Sequence, residues 1–169
     1  VERHYGESLA AVPLIGKEDK KVVDLGSGAG FPGLVLALAR PELEVFLVEA
    51  RERKWAFLTA VCRKAALSAT CLNARVGATL PEGVPEKIDV VSSRALKLST
   101  DVLAAVNQRL SPAGQILLWT GKTDPRMPPG LTIVASRGLP GATARRLLQV
   151  RGRPVSAEKR RPGTRVKTL

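Results

Sequence analysis

A glycine-rich turn near the start of the chain contains the residues best suited to holding a ligand. An apolar stretch over residues 22–25 includes Asp24, and it is followed by Gly26, Gly28, Gly30 and Gly33. Because glycine has no Cβ, such a turn allows the backbone to pass close to a bound molecule. When a turn of this kind joins a strand to a helix, it lies at the cleft where α/β proteins bind nucleotides. The sequence therefore predicts a nucleotide-like ligand at residues 24–33.

Two patterns overlap in this turn and indicate different ligands. Residues 28–33 follow G-x-G-x-x-G, the dinucleotide pattern, whereas residues 24–30 follow D-x-G-x-G-x-G, which resembles the first motif of S-adenosylmethionine methyltransferases. Glu49, which closes the next apolar stretch, could accept hydrogen bonds from ribose hydroxyls in either case. Asp24 is unfavourable beside a pyrophosphate, but it could pair, directly or through water, with the cationic amino-acid end of S-adenosylmethionine. We therefore favour the methyl donor over NAD as the ligand.

The elements that position this turn alternate between strands and helices. Apolar runs predict five strands, over residues 22–25, 44–49, 70–76, 88–93 and 115–120. Helical spacing predicts the intervening helices, over residues 33–40, 51–66 and 96–110. Two further strands are expected over 131–136 and 144–150, and residues 1–16 are expected to be a helical remnant that stops near Pro13 or Gly16. This order predicts an α/β fold: a Rossmann-like, mostly parallel sheet with helices on both faces and an antiparallel hairpin at one end.

The basic charge of the chain is concentrated near its end. The net charge is +12 in 169 residues, of which residues 1–136 contribute +3 and residues 137–169 contribute +9. Residues 151–169 lack periodicity, so we expect a domain over 1–150 followed by a basic tail. Such asymmetry favours a nucleic-acid partner. The expected phosphate-contacting residues are Arg53, Lys54, Lys122, Arg145, Arg146, Arg151, Arg153, Arg160 and Arg161.

Other features of the composition narrow the class of protein. No apolar run approaches the roughly 20 residues of a membrane span, so no membrane association is expected. The polar start does not resemble a signal peptide. The two cysteines, Cys62 and Cys71, lack the spacing of metal ligands, so we expect neither a metal site nor a disulfide. A cytoplasmic monomer is the expectation.

At residues 23–33, Val-Asp-Leu-Gly-Ser-Gly-Ala-Gly-Phe-Pro-Gly, the chain strongly resembles the RsmG family, also called glucose-inhibited division protein B. Further matches follow at residues 3–9, 49, 53–58, 75–76, 93–95 and 159–164, so the resemblance spans nearly the whole chain. Members of this family methylate N7 of one guanosine in 16S ribosomal RNA with S-adenosylmethionine. The chain departs from the family pattern at Gly77, where an acid is usual, and at residues 120–122, Thr-Gly-Lys.

The resemblance and the residue chemistry together indicate a set of site residues. The expected donor-binding residues are Asp24, Gly26, Ser27, Gly28, Gly30, Phe31, Glu49, Val76, Gly77 and Arg94. Arg94, Arg75 and His4 are candidates for positioning the reactants, and no general base is assigned. Two alternatives stay open: methylation of another RNA or of a small molecule, and an RNA-binding domain with a vestigial donor pocket.

Overall fold

The structure is a computed structural model that describes residues 2–94, 96–139 and 141–152. The helices are α1 (Glu2–Leu9), a 3-10 helix (Val12–Leu14), α2 (Gly33–Ala39), α3 (Glu52–Lys64) and α4 (Thr100–Arg109). The strands are β1 (Lys21–Leu25), β2 (Glu44–Glu49), β3 (Ala69–Asn73), β4 (Ile88–Arg94), β5 (Leu110–Thr120), β6 (Leu131–Gly138) and β7 (Arg146–Gly152).

The strands form one sheet in the order β3-β2-β1-β4-β5-β7-β6. β1 to β5 pair in parallel, whereas β7 is antiparallel to both β5 and β6. This arrangement confirms the predicted mostly parallel sheet with an antiparallel hairpin at one end. The order of strands reverses between β1 and β4, and in such sheets ligands bind outside the carboxyl ends of the strands at that point.

Apolar side chains cover both faces of the sheet. Val22 of β1 packs in one buried cluster with Leu36 of α2 and Leu58 of α3. Its neighbour Val23 lies in a second buried cluster with Leu103 of α4. Successive residues of a strand point to opposite faces, so the run of apolar residues in β1 serves both cores. Burial on both sides is typical of a central strand in a parallel sheet.

The helix predicted over 96–110 begins later than expected. The hydroxyl of Ser99 accepts a hydrogen bond from a backbone N–H of the first turn of α4, and this cap sets the start of the helix. Residues 111–114, which lie between the predicted helix and the strand predicted over 115–120, are part of β5, because β5 begins at Leu110, which pairs with Ile88 of β4. Hydrophobic periodicity did not show this pairing, since it depends on a partner strand about twenty residues away.

The two ends of the domain also differ from expectation. α1 ends at Leu9, and only a short 3-10 helix follows it, around Pro13. The last predicted strand, over 144–150, is shifted: β7 runs to Gly152, and Arg151 pairs with Gln115 of β5. Arg151 therefore belongs to the sheet rather than to the tail. The rest of the predicted tail, residues 153–169, lies outside the described residues.

Candidate functional site

A cavity of about 600 Å³ opens at the carboxyl ends of β1, β2 and β4. Its volume lies in the range of roughly 300–1,000 Å³ that is typical of small-molecule sites. The wall is formed by the glycine-rich loop, the end of β2, the segment after β3, the end of β4 and α1. The lining residues are His4, Gly26, Ser27, Gly28, Ala29, Phe31, Val48, Glu49, Ala50, Arg51, Lys54, Ala74, Arg75, Val76, Arg94 and Leu96.

The glycine-rich loop is held against the end of β2 by its own backbone. The N–H groups of Gly26 and Ser27 both donate to the carbonyl of Val48, at 2.9 and 3.1 Å. Gly26, Gly28 and Gly30 have positive φ angles of 74°, 59° and 91°, which residues with a Cβ rarely adopt. The loop therefore requires glycine at these places, and its backbone lies directly on the cavity wall.

Glu49 joins the loop to the segment that follows β2. One carboxylate oxygen of Glu49 accepts a hydrogen bond from the Gly28 N–H at 2.9 Å, and the other accepts from the Arg51 N–H at 2.8 Å. Each carboxylate oxygen has a further lone pair, and Glu49 lines the cavity. The carboxylate oxygens of Glu49 can therefore still accept hydrogen bonds at the position where a ribose hydroxyl is expected.

Asp24 does not lie where the sequence suggested. Its side chain is fully buried and is not part of the cavity wall. One carboxylate oxygen accepts from the Ser92 hydroxyl at 2.8 Å, and the other accepts from the Gly33 N–H at 3.2 Å. Burial raises the pKa of Asp24 to about 6. The structure thus shows a residue whose side chain joins β1 to β4 and to the start of α2.

Arg94 ends β4 and faces the cavity together with His4 of α1. One guanidinium nitrogen, Nη2, contacts Nδ1 of His4, and the guanidinium carbon lies 5.9 Å from the ring centre of Phe31. The other nitrogen, Nη1, is buried and has no hydrogen-bond partner among the described residues. A buried donor without a partner is unfavourable, so this nitrogen suits an anionic acceptor such as a carboxylate.

The remaining predicted site residues are divided between the cavity and its surroundings. Arg75 and Val76 line the cavity, because β3 ends at Asn73 and the chain then leaves the sheet. This corrects the predicted strand over 70–76. Gly30 and Gly77 are not on the wall: Gly30 packs beneath it, where an added Cβ would come within 2.3 Å of the Leu34 side chain.

Three long side chains on the wall were not predicted as part of the donor site. Lys54 was expected to contact RNA, yet it lines the cavity together with Arg51 and Leu96. The sequence could have indicated Arg51 and Lys54, because they closely follow Glu49 at the end of β2, which lies at the edge of the sheet where ligands bind. Leu96 was assigned to a helix, although it belongs to the loop between β4 and α4.

A second cavity, of about 700 Å³, lies beside the first and shares Leu96 with it. It is bounded by the ends of β4 and β5 and by the loops that follow them. The hydroxyl of Thr120, on its wall, is buried and has no hydrogen-bond partner within the described ranges. The two cavities place two ligand-sized spaces side by side at the same edge of the sheet.

Several residues predicted to contact RNA phosphates are paired within the protein. Arg145 contacts the buried carboxylate of Glu7, with a shortest distance of 2.5 Å. Arg146 donates to the carboxylate of Asp124 at 2.8 Å. Both arginines are thus also paired with acids of the protein, and the sequence could not show the pairing of Arg145 because Glu7 is 138 residues away.

The other predicted RNA contacts are exposed or lie outside the described residues. Arg53 of α3, Lys122 of the loop after β5, and Arg151 of β7 are exposed. Arg151 also donates to the backbone carbonyl of Ala113 at 3.1 Å. The three that lie beyond the described part of the chain are Arg153, Arg160 and Arg161.

The two cysteines, Cys62 of α3 and Cys71 of β3, lie close together. Both are free thiols, and their sulfur atoms are 3.7 Å apart. Burial, followed by the neighbouring thiol of Cys71, raises the pKa of Cys62 to about 12. Within the part of the chain that the structure describes, no three His, Cys, Asp or Glu side chains are grouped as metal ligands. No helix of that part is long and apolar enough to cross a membrane.

Comparison with known proteins places the chain in a family. The model of the GidB family, described as rRNA small subunit methyltransferase G, matches residues 1–126. The chain belongs to the GidB family. Ribosomal RNA small subunit methyltransferase G of Acidothermus cellulolyticus is 42% identical over 121 residues, covering 71% of this chain and 52% of that protein. Its counterpart in Cereibacter sphaeroides is 39% identical over 123 residues, covering 70% of this chain and 58% of that protein. This GidB chain thus spans just over half the length of these relatives.

Solved structures show the same fold. TrmN from Thermus thermophilus superposes with a TM-score of 0.73 at 21% identity, covering 86% of the GidB chain and 48% of TrmN. The glycopeptide N-methyltransferase MtfA, complexed with S-adenosylmethionine, gives a TM-score of 0.67 at 14% identity, covering 87% and 93% of the two chains. The fold is therefore that of S-adenosylmethionine-dependent methyltransferases, as the family resemblance implies.

Proposed function

We propose that this chain transfers a methyl group from S-adenosylmethionine to N7 of a guanosine in 16S ribosomal RNA. The observation that supports this most directly is the 600 Å³ cavity formed by the glycine-rich loop, Glu49 and Arg94, in a chain whose family is described as rRNA small subunit methyltransferase G. The substrate is the free RNA or the small ribosomal subunit. The chemistry does not need a metal ion.

The residues on the wall fit the methyl donor by type. Nη1 of Arg94, which is buried and has no hydrogen-bond partner among the residues that the structure describes, is a donor for the carboxylate of its amino-acid end. Glu49 retains acceptor capacity for the ribose hydroxyls, and Val76 provides an apolar surface for the adenine. Asp24 acts from behind the wall: its bond to the Gly33 N–H fixes the end of the loop at the start of α2.

The second cavity suits the base that accepts the methyl group. It shares Leu96 with the donor cavity, so ligands in the two spaces would be neighbours. The hydroxyl of Thr120, which has no partner in residues 2–94, 96–139 and 141–152, offers a hydrogen bond to a base edge. Lys97 and Arg126 on the same wall supply positive charge, which favours a polyanionic substrate.

The mechanism we propose depends on positioning rather than on a general base. S-adenosylmethionine, when bound, supplies a sulfonium methyl group that is electrophilic without further activation. N7 of guanine has an in-plane lone pair that is free at neutral pH, so no proton has to be removed from it. Arg94 and the glycine-rich loop hold the reactants in place, and orientation of this kind can lower a barrier by roughly 7–11 kcal/mol. No side chain has to accept a proton.

This mechanism predicts a rate that hardly depends on pH. The pKa of Asp24 is about 6, and the positive charge of Arg94 lowers the pKa of His4 from its ordinary value. Neither group has to give or take a proton in the proposed transfer, so their titration does not limit the rate in the window from about pH 6.5 to 9. The single-turnover rate at saturating ligands is expected to be nearly flat across it. A rise with a slope of one, abolished by replacing His4 or one acid, contradicts the mechanism.

The function is tested by labelled methyl transfer to 16S ribosomal RNA and to small ribosomal subunits, with the modified base mapped afterwards. Arg94→Ala is expected to lose most activity, whereas Arg109→Ala, which removes a cation that lies on neither cavity wall, serves as the matched control. Transfer to a different RNA or to a small molecule would mean that the chain is a methyltransferase whose substrate is not the one proposed. Donor binding without any transfer would favour the RNA-binding alternative.

Binding is measured separately by thermal unfolding. S-adenosylhomocysteine at 100 times its dissociation constant is expected to stabilise the chain by about 2.7 kcal/mol. NAD at the same concentration is expected to leave the melting temperature unchanged. The reverse pattern would assign the glycine-rich loop to a dinucleotide and refute the proposed donor.

We also propose that the chain acts in the cytoplasm as a monomer. A ribosomal RNA substrate supports the location. The large exposed apolar side chains of the described residues are distributed over α1, α2, α3, β6 and the loop after β4, rather than over one element, which supports the monomer. Light scattering of the purified protein tests the oligomeric state.

A further inference from the structure

We propose that Glu7 is a positioning residue whose buried carboxylate fixes the guanidinium of Arg94 at the mouth of the donor cavity. Glu7 does not line either cavity, so its effect on a ligand would pass through Arg94. The inference rests on the proposed function for the identity of the ligand. The contact between Glu7 and Arg94 is a property of the chain itself and is tested separately.

Glu7 is a carboxylate in an unusual place. It lies on α1 with only 1% of its side chain exposed, and three arginines surround it. Arg145 contacts both carboxylate oxygens, at 2.5 and 3.2 Å. Arg94 and Arg3 each approach to 3.5 Å. A buried charge is tolerated only when it is paired, and here one acid compensates several cations at once.

The arrangement brings distant parts of the chain to one point. Arg94 ends β4, Arg145 precedes β7, and Glu7 comes from α1. The backbone carbonyl of Glu7 also accepts a hydrogen bond from the indole N–H of Trp119 on β5, at 2.9 Å. Glu7 is therefore held in place through both its main chain and its side chain. Its carboxylate can in turn hold the guanidinium of Arg94 in one position.

The two nitrogens of Arg94 have different surroundings. Nη2 contacts Glu7 and His4, both on α1, whereas Nη1 is buried without a partner in the described part of the chain. Contacts on one nitrogen orient the planar guanidinium and leave the other nitrogen for a ligand. Burial lowers the pKa of Arg94 from its ordinary value, and the charge of Glu7 opposes this change. Glu7 thus supports both the orientation and the charge of Arg94.

Replacing the carboxylate by an amide should release Arg94. Glu7→Gln keeps the shape of the side chain but leaves Arg94, Arg145 and Arg3 without their shared acid, so the guanidinium of Arg94 is expected to move. Loss of a hydrogen bond between charged groups weakens binding by about tenfold to a hundredfold. We expect the affinity for S-adenosylhomocysteine to fall by about tenfold to a hundredfold. Glu7→Asp, which retains the charge, should show a smaller decrease.

The experiment is a double-mutant cycle on S-adenosylhomocysteine affinity, measured by calorimetry on variants shown to be folded by circular dichroism. The matched control is Glu86→Gln, which removes the acid of the ion pair between Glu86 and Arg109 (3.1 Å), away from both cavity walls. In an Arg94→Ala background, Glu7→Gln should change affinity by less than about twofold. If Glu7 had a purely structural role, Glu7→Gln would lower the affinity for S-adenosylhomocysteine by the same factor with and without Arg94. That result overturns the proposal, and so does wild-type affinity in Glu7→Gln.

A second measurement does not depend on the ligand. The side-chain nitrogen resonances of Arg94 in an NMR spectrum should show restricted guanidinium rotation in the wild type and in Glu86→Gln, and free rotation in Glu7→Gln. If the wild type does not bind S-adenosylhomocysteine, the proposed function fails while this measurement still decides the role of Glu7. Equal Arg94 spectra in the wild type and Glu7→Gln refute it.

Discussion

Replacing Asp24 by asparagine is expected to change how stability depends on pH. The carboxyl of Asp24 is fully buried, and burial raises its pKa from 3.8 to about 6. Between these two values the folded chain binds more protons than the unfolded chain does. The contribution of Asp24 to stability is therefore fully present below pH 3.8 and is lost as the pH rises through 6. A difference of about two pKa units corresponds to about 3 kcal/mol.

An asparagine side chain stays neutral at every pH, so Asp24→Asn removes this dependence. The new amide oxygen can accept from the Gly33 N–H, and the new amide nitrogen can donate to the Ser92 hydroxyl, in place of the two bonds that Asp24 accepts. The free energy of unfolding of the variant minus that of the wild type should increase by about 2 kcal/mol between pH 4 and pH 7, because part of the full difference lies below pH 4. Because all other titratable groups are the same in the two proteins, their contributions cancel when the two free energies of unfolding are subtracted.

Urea unfolding of both proteins at pH 4, 5, 6 and 7 measures this difference. A difference that stays constant within about 0.5 kcal/mol, or that decreases with pH, would refute the reasoning, because Asp24 would then titrate as it does in the unfolded chain. Binding of S-adenosylhomocysteine to the same variant at pH 7 tests a separate point. A large decrease in affinity there would restore the hypothesis that the charge of Asp24 attracts the methyl donor.

Three further predictions concern other parts of the molecule. Gly33→Ala should destabilise the chain by about 1–3 kcal/mol in urea unfolding, because the added Cβ would come within 2.9 Å of the Asp24 Cβ; an unchanged midpoint contradicts this close approach. A thiol reagent at pH 8 should label Cys71 at least about tenfold faster than Cys62, because the pKa of Cys62 is raised to about 12 and little of its reactive thiolate is present. Peptide mass spectrometry measures the two rates, with Cys62→Ser as the control. Deleting residues 153–169, which include six Lys and Arg, should weaken RNA binding. The slope of log affinity against log salt concentration should become less steep by about 0.7 for each phosphate that is no longer neutralised, while the affinity for S-adenosylhomocysteine stays unchanged. An unchanged slope would mean that these charges do not bind RNA.

The parts of the site that the sequence could predict are those built from near neighbours. The glycine-rich loop has positive φ angles at Gly26, Gly28 and Gly30, and a glycine pattern of this kind indicates such a turn directly. Glu49 was placed correctly on the cavity wall because it ends the strand beside that loop. Both inferences required only the local sequence and the rule that parallel strands end at one edge of the sheet.

The parts that could not be predicted depend on contacts between distant residues. Arg94 was a candidate from its place at the end of β4, but its partners His4 and Glu7 are 90 and 87 positions away. Arg145 was expected to contact RNA because it lies in a basic stretch, and a count of charges does not distinguish a solvated arginine from one paired with a buried acid. The same limit applies to Asp24, whose burial follows from the packing of β1, β4 and α2 around it.

These long-range pairings change the meaning of the basic composition. A formal charge of +12 suggests a broadly positive surface, yet Arg145 and Arg146 are paired with acids at the hairpin end of the sheet. Part of the cationic charge is also concentrated at the donor cavity, where Arg51, Lys54 and Arg75 join Arg94. Charge at that place strengthens binding of an anionic group without sequence preference. For the proposed activity, specificity for one guanosine therefore depends on the shape and polar groups of the two adjoining cavities rather than on the net charge.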